Sequence, residues 1–267
     1  MDYKHVRDNS HPYNYILDAI GLALAIPGMI LAALVLRVLM NRKWSHMNID
    51  LKLITLTLIF DIISCLESGL NCFFNMINFQ YNLSYTWSCN LAATICLIGF
   101  ITSINLVGLI ALERCLLICY QTKIDEIYYW IMLIIFILIN IGSIVISWLS
   151  NGFTILPASM YCMFDVKVKA GRITGIITLL LALVSVSMVF IGYIKISLKR
   201  AQESKQSQIE LGLNPVEVRK TMRSTIIKSM VIIFVSCLNN GPYCILVVIS
   251  LFEPSFLTPL VDCISAS

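Results

Sequence analysis

Charge is what this chain has least of. Asp, Glu, Lys and Arg together make up 13% of its 267 residues, whereas hydrophobic types make up 58% and the mean hydropathy is +0.85. A soluble domain of this length is not built from such a composition. Histidine is nearly absent: His5, His11 and His46 all lie in connecting segments and none shows metal-ligand spacing, which leaves no cluster for a metal-dependent enzyme. There is no Gly-rich phosphate loop, and the halves show no repeat of the kind that builds secondary transporters. The polar start "MDYKHVRDNSHPYNY" lacks the basic, apolar, small-residue order of a cleavable signal peptide. The first apolar run is then itself the insertion signal.

What is abundant is apolar runs. A bilayer core needs about 20 apolar residues per helix, and such runs recur at Ile16–Met40, Leu51–Ile77, Cys89–Leu112, Ile127–Leu149, Ile173–Ile194 and Ser229–Phe252. The pattern predicts an all-α transmembrane protein. It has an amino-terminal tail over 1–15 and a bundle over 16–267, with helices near 16–40, 49–77, 88–120, 127–149, 171–199, 222–252 and 256–267. The seventh stretch, from Phe256 to Ser267, reaches only about 18 Å as a helix. That is too short to cross, so the seventh helix is predicted to be incomplete and the chain cut before its natural end.

Orientation follows from the basic residues. If alternate loops face opposite sides, only Lys4, Arg7, Lys167, Lys169 and Arg172 fall on one side, and the remaining fourteen of the 19 Lys and Arg residues fall on the other. The amino terminus is therefore expected outside, in a plasma-membrane protein. The net charge of +4 reflects topology and cytoplasmic headgroups, with no need for a nucleic-acid partner. The one N-x-[ST] sequon, at Asn82, falls on the outer side, where it can be glycosylated.

Of the ten cysteines most lie within helices, as small apolar fillers do. Cys89 and Cys162 differ, since the first caps the outer end of helix three and the second sits in the outer loop "PASMYCMFD". A bridge between them would tie that loop over the bundle; two free thiols are the alternative. At the inner end of helix three stands Glu113-Arg114, within "LIALERCLLICY". Alone, Arg114 reads as a snorkelling interface anchor.

The pair is not alone. Cys89 lies 25 residues before Arg114, and Asp61 sits mid-helix in "LTLIFDIIS". Together these resemble the rhodopsin-like (class A) G-protein-coupled receptors over essentially all the helices. That family carries an acidic-Arg-Tyr motif at the inner end of helix three, a Cys at its outer end bridged to the second outer loop, and a buried Asp in helix two. Here they read Glu113-Arg114-Cys115, Cys89 with Cys162, and Asp61.

The resemblance implies an extracellular ligand, a heterotrimeric G-protein partner and an activation switch in which Glu113 holds Arg114 at rest and releases it when the inner helix ends part. Tyr193 in helix five matches the tyrosine that swings toward that arginine; an interface-belt aromatic is the alternative. Asp61 with Ser103 matches a sodium-binding polar pocket, with Asn105 nearby; a structural, protonated Asp61 is the alternative. No other cofactor is implied. Pro242 in "SCLNNGPYCI" matches the hinge of helix six, although Asn240 stands where the family has its tryptophan switch. Met29 replaces a helix-one asparagine, Asn140 stands roughly where the family has a tryptophan in helix four, and the helix-seven Asn-Pro-x-x-Tyr does not occur.

For the ligand pocket the candidates are Cys96, Glu67 and Asn240. Cys96 occupies the position at which amine receptors carry aspartate, which disfavours a biogenic amine. Glu67, taken as the remaining intramembrane carboxylate beside Asp61, either meets a cationic ligand group or makes a helix-helix hydrogen bond. No lysine follows Lys228, so a retinal link in helix seven is not available. The competing class is a polytopic transporter or channel-like protein of unknown substrate.

Overall fold

A chain in lipid must satisfy its backbone polar groups internally, and apolar runs of spanning length do so as helices. In a computed structural model, which describes residues 3–77, 85–211, 227, 244–253, 256 and 258–266, they form the long helices of the bundle. Helix one is Tyr13–Met40, helix two Ile49–Met76, helix three Thr86–Tyr120, helix four Glu126–Leu149 and helix five Lys169–Leu211. Residues 244–252 belong to helix six, and Pro259–Ala266 opens helix seven. Helices one, three and four, and helix five as far as Arg200, are each long and apolar enough to cross a membrane. The protein is an integral membrane protein with a seven-helix architecture.

Helix three is the axis. In its most apolar stretch 56% of residues are buried, against 6% in helix one, which faces lipid. Helix three reaches roughly 52 Å over its 35 residues. It ends at Gln121, whose left-handed backbone (φ 53°) turns its N–H back to Leu116 O, a common way to close the last turn.

Helix four leans between two partners. At its inner end Tyr129 and Leu133 pack with Ile49 and Leu53 of helix two and Leu106, Leu109 and Ile110 of helix three. At its outer end Ser147 meets the Thr174 hydroxyl of helix five at 2.6 Å, and that hydroxyl also donates to Ser143 O at 2.8 Å. Helices three and five approach closely at Gly108, where any Cβ would lie 3.0 Å from the Ser185 backbone.

Two elements add to the helical pattern. The amino-terminal tail holds a short helix, Tyr3–Ser10, too polar and brief to be read as an element from its sequence. The second outer loop holds an antiparallel hairpin, β1 (Phe153–Ile155) and β2 (Cys162–Phe164), with Phe153 opposite Phe164 and Ile155 opposite Cys162. Its tip turns at Ser159 (φ 58°), whose N–H closes on Leu156 O at 2.8 Å.

Candidate functional site

Three layers of polar contact hang on helix three. In the outer layer Cys89 and Cys162 are joined by a disulfide with Cα atoms 5.4 Å apart, so the hairpin is tied to helix three. The hairpin is not a surface loop. Phe153, Ile155, Leu156, Met163 and Phe164 form one buried cluster with Ala93 and Leu97 of helix three, Ile144 of helix four and Val247 of helix six. Its tip goes deeper, with Ala158 and Met160 packed against Leu17 of helix one, Cys72 of helix two and Cys263 of helix seven. Gly21 of helix one makes room for this: a Cβ there would meet Cys72 Sγ at 2.6 Å and Met160 Cε at 3.2 Å.

The tip is held by polar groups that must be paired because they are buried. Asp262 of helix seven accepts the Ala158 N–H at 2.9 Å and the Tyr161 hydroxyl at 2.9 Å. Ser10 and Ser159 share a hydrogen bond of 3.0 Å, which brings the amino-terminal helix onto the hairpin. The Arg7 guanidinium donates to Asn75 O and to the Tyr15 hydroxyl, each at 3.1 Å. Asn75 Nδ2 donates in turn to the buried Asp18 carboxylate at 2.6 Å.

These residues were missed in the sequence. Asp18 in "YILDAIG" and Asp262 in "LVDCIS" are intramembrane carboxylates of the kind that signals function, and Glu67 is thus one of several beside Asp61. Glu67 accepts a hydrogen bond from Asn71 of its own helix. Cys96 lies half-buried on helix three, within electrostatic reach of Glu67.

In the middle layer the Ser103 hydroxyl donates to Asp61 Oδ1 at 2.5 Å, joining helices three and two. Ser64, one turn beyond Asp61 on the same face, is half-buried, its hydroxyl oxygen buried without a partner among the described residues, and packs against Gly99. The Asp61 carboxylate and the Ser103 hydroxyl are oxygen donors, the kind that suits a hard cation such as sodium. Asn105 does not join them. Its Oδ1 accepts the Ser185 hydroxyl at 2.6 Å, because at this level that face of helix three is covered by helix five. Asn140 Nδ2 donates to Leu97 O at 3.3 Å, tying helix four to helix three.

In the inner layer Glu113 and Arg114 are both half-buried. Neighbours in a helix point in different directions, and among the described residues neither makes a hydrogen bond or ion pair. Tyr193 is half-buried and is not brought to Arg114 by a hydrogen bond. The close ion pair at this end is Lys52 with Glu126, 2.6 Å, joining helices two and four. Asn82, Asn240 and Pro242, with the basic stretch Arg219 to Lys228, lie outside the described residues.

No protein-family model matches the chain, and no curated protein matches it by sequence. Solved structures do match, among them squid rhodopsin, with a TM-score of 0.65 at 17% identity over 100% of this chain and 79% of that one. At that identity the likeness is one of fold: the seven-helix arrangement of that protein.

Proposed function

We propose that the chain is a rhodopsin-like G-protein-coupled receptor of the plasma membrane, amino terminus outside, that senses an extracellular ligand and signals by helix rearrangement to a cytoplasmic heterotrimeric G protein. One observation carries this reading. Helix three carries the disulfide to the outer hairpin at Cys89, the link to helix two at Ser103 and, at its inner end, Arg114, whose guanidinium makes no hydrogen bond or close ion pair among the described residues. A rigid helix held at its outer end by a covalent bond conveys a displacement of the hairpin to its inner end.

Each layer then has a task. The ligand enters beneath the hairpin, against helices two, three and six, where Glu67, Cys96 and Asn240 are the candidate contacts. Asp61, Ser103 and Ser64 hold a sodium ion, whose charge balances a carboxylate in the membrane interior. Arg114 offers its guanidinium to acceptors on the G protein as a charge-assisted donor, while Tyr193 and the Pro242 hinge move with the parting inner ends. Asn82 carries a glycan on the outer loop.

The test is nucleotide exchange on co-expressed G proteins in membranes holding the full chain. Arg114→Ala is expected to abolish exchange while surface expression stays intact. Unchanged exchange in that variant overturns the reading.

A further inference from the structure

The inner halves of helices three and five leave a groove open to lipid. Helix four meets helix five at its outer end, where Ser147 and Ser143 bond Thr174, and is drawn toward helix two at its inner end by Tyr129, Leu133 and the Lys52–Glu126 pair. The floor forms where Gly192 lies against Ala111 O, which any Cβ would approach to 3.0 Å. The volume is about 580 Å³, within the usual range of a ligand cavity, and the walls are mostly apolar, with Ser187 part-way along and Tyr120 and Lys195 at one end. Leu180, Leu183, Val184 and Ile191 are 45–56% exposed along it. From Leu180 to Lys195 it runs about 22 Å along helix five, longer than half the bilayer core.

The polar end carries a positive charge. Lys195 Nζ lies 2.8 Å from the Tyr120 hydroxyl and 5.4 Å from the centre of its ring, so the ammonium is placed over the mouth. No acidic side chain lines the groove among the described residues. Lys199, one turn on, pairs with Glu203 at 3.9 Å, whereas Lys195 has no acidic partner within 4 Å among the described residues.

We propose that this groove binds one anionic phospholipid of the inner leaflet, an acyl chain lying along the apolar walls and the phosphate on Lys195 with the Tyr120 hydroxyl as second donor. The charge selects the occupant: a sterol hydroxyl leaves the ammonium uncompensated, and a zwitterionic headgroup compensates it only in part. The leaflet rests on the orientation proposed above, but the site does not depend on G-protein coupling, so a chain that fails to couple still tests it.

The test reconstitutes the full chain in nanodiscs of phosphatidylcholine and phosphatidylserine in equal parts with cholesterol, then extracts with mild detergent and measures retained lipid by mass spectrometry. Wild type is expected to keep phosphatidylserine in preference to the other two. Lys195→Gln should lower its retention about fivefold, the effect of one basic residue at a membrane surface. Ser187→Trp, which fills the groove from an exposed wall position, should lower it as far, and Lys199→Gln should leave it near wild type. Should Ser187→Trp fail to fold, Val184→Phe on the same wall replaces it. Equal losses for Lys195→Gln and Lys199→Gln, equal retention of phosphatidylcholine or cholesterol, or no effect of filling the groove each overturns the proposal.

Discussion

The Asp262 carboxylate accepts the backbone N–H of Ala158 at 2.9 Å across 104 residues of sequence. Helix seven thereby grips the tip of the hairpin that the disulfide at Cys162 ties to helix three. The two grips differ in kind. A covalent bond persists when the bundle shifts, whereas a carboxylate contact can break and re-form, so any ligand that needs the space under the tip competes with Asp262.

Removal of Asp262 should loosen the tip more than removal of either donor. In Asp262→Ala the buried Ala158 N–H loses its acceptor, a cost of about 1–3 kcal/mol, whereas Tyr161→Phe removes one hydrogen bond and leaves the carboxylate on Ala158. Thermal unfolding of the purified protein is expected to rank wild type, Tyr161→Phe and Asp262→Ala in falling order. Hydrogen exchange over 156–162 should speed up most in Asp262→Ala. Equal protection in all three would show that packing alone holds the tip.

At the inner end the Lys52–Glu126 pair makes an asymmetric prediction. Lys52 is 11% exposed at its side chain and Glu126 45%, so solvent screens the pair and its net worth is on the order of 1 kcal/mol. Glu126→Ala strands a buried ammonium, whereas Lys52→Met leaves a half-exposed carboxylate that water can solvate. Thermal unfolding should therefore fall more in Glu126→Ala than in Lys52→Met, and the reverse order would refute the burial argument.

What the sequence shows is what depends on local pattern. Spans of helices one to five follow from length and apolarity, because lipid enforces helix wherever such a run occurs. The Cys89–Cys162 bridge was read from two cysteines on the outer face and from resemblance, and the Asp61–Ser103 contact from resemblance, since each rests on motifs with recognisable spacing. The Asp262–Ala158 contact has no such signature: a backbone N–H in a loop carries no side-chain identity, and its partner arrives only when helix seven closes on the hairpin. Lys52 was counted among the basic residues of the inner face, because charge tallies do not record which carboxylate comes within 2.6 Å. The Tyr3–Ser10 helix was hidden for a related reason. An isolated eight-residue helix is unstable in water, and this one rests on Arg7 reaching Asn75 O and Ser10 reaching Ser159.

The sodium reading separates from a purely structural Asp61 by an ion-specific experiment. A ligand that binds the folded state raises its stability with concentration, by about 2.7 kcal/mol at a hundredfold excess over the dissociation constant. Wild type should melt at higher temperature in sodium chloride than in choline chloride at equal ionic strength. Asp61→Asn keeps an acceptor for Ser103 but loses the charge, and is expected to melt alike in both salts. A wild type indifferent to the cation would leave Asp61 with a structural role only.

The seam between helices three and five predicts opposite signs for one substitution at two glycines. In a helix interior Ala exceeds Gly by about 0.5–1 kcal/mol, so where space allows, Gly→Ala stabilises. Gly142 of helix four is such a place, since a Cβ there meets nothing within 4 Å, and Gly142→Ala should raise the melting temperature slightly. At Gly108 the new methyl would lie 3.0 Å from Ser185 Cα and 3.2 Å from Ser185 O, backbone atoms that cannot rotate away. The helices must part there, straining the Ser185–Asn105 hydrogen bond of 2.6 Å at a cost of about 1–3 kcal/mol. Gly108→Ala should therefore lower the melting temperature, and Gly108→Leu should lower it further. Because this seam lies between the hairpin and Arg114, basal nucleotide exchange is expected to change in Gly108→Ala and to stay at the wild-type level in Gly142→Ala. A stabilising Gly108→Ala would mean that helices three and five do not touch as closely as the 3.0 Å approach requires.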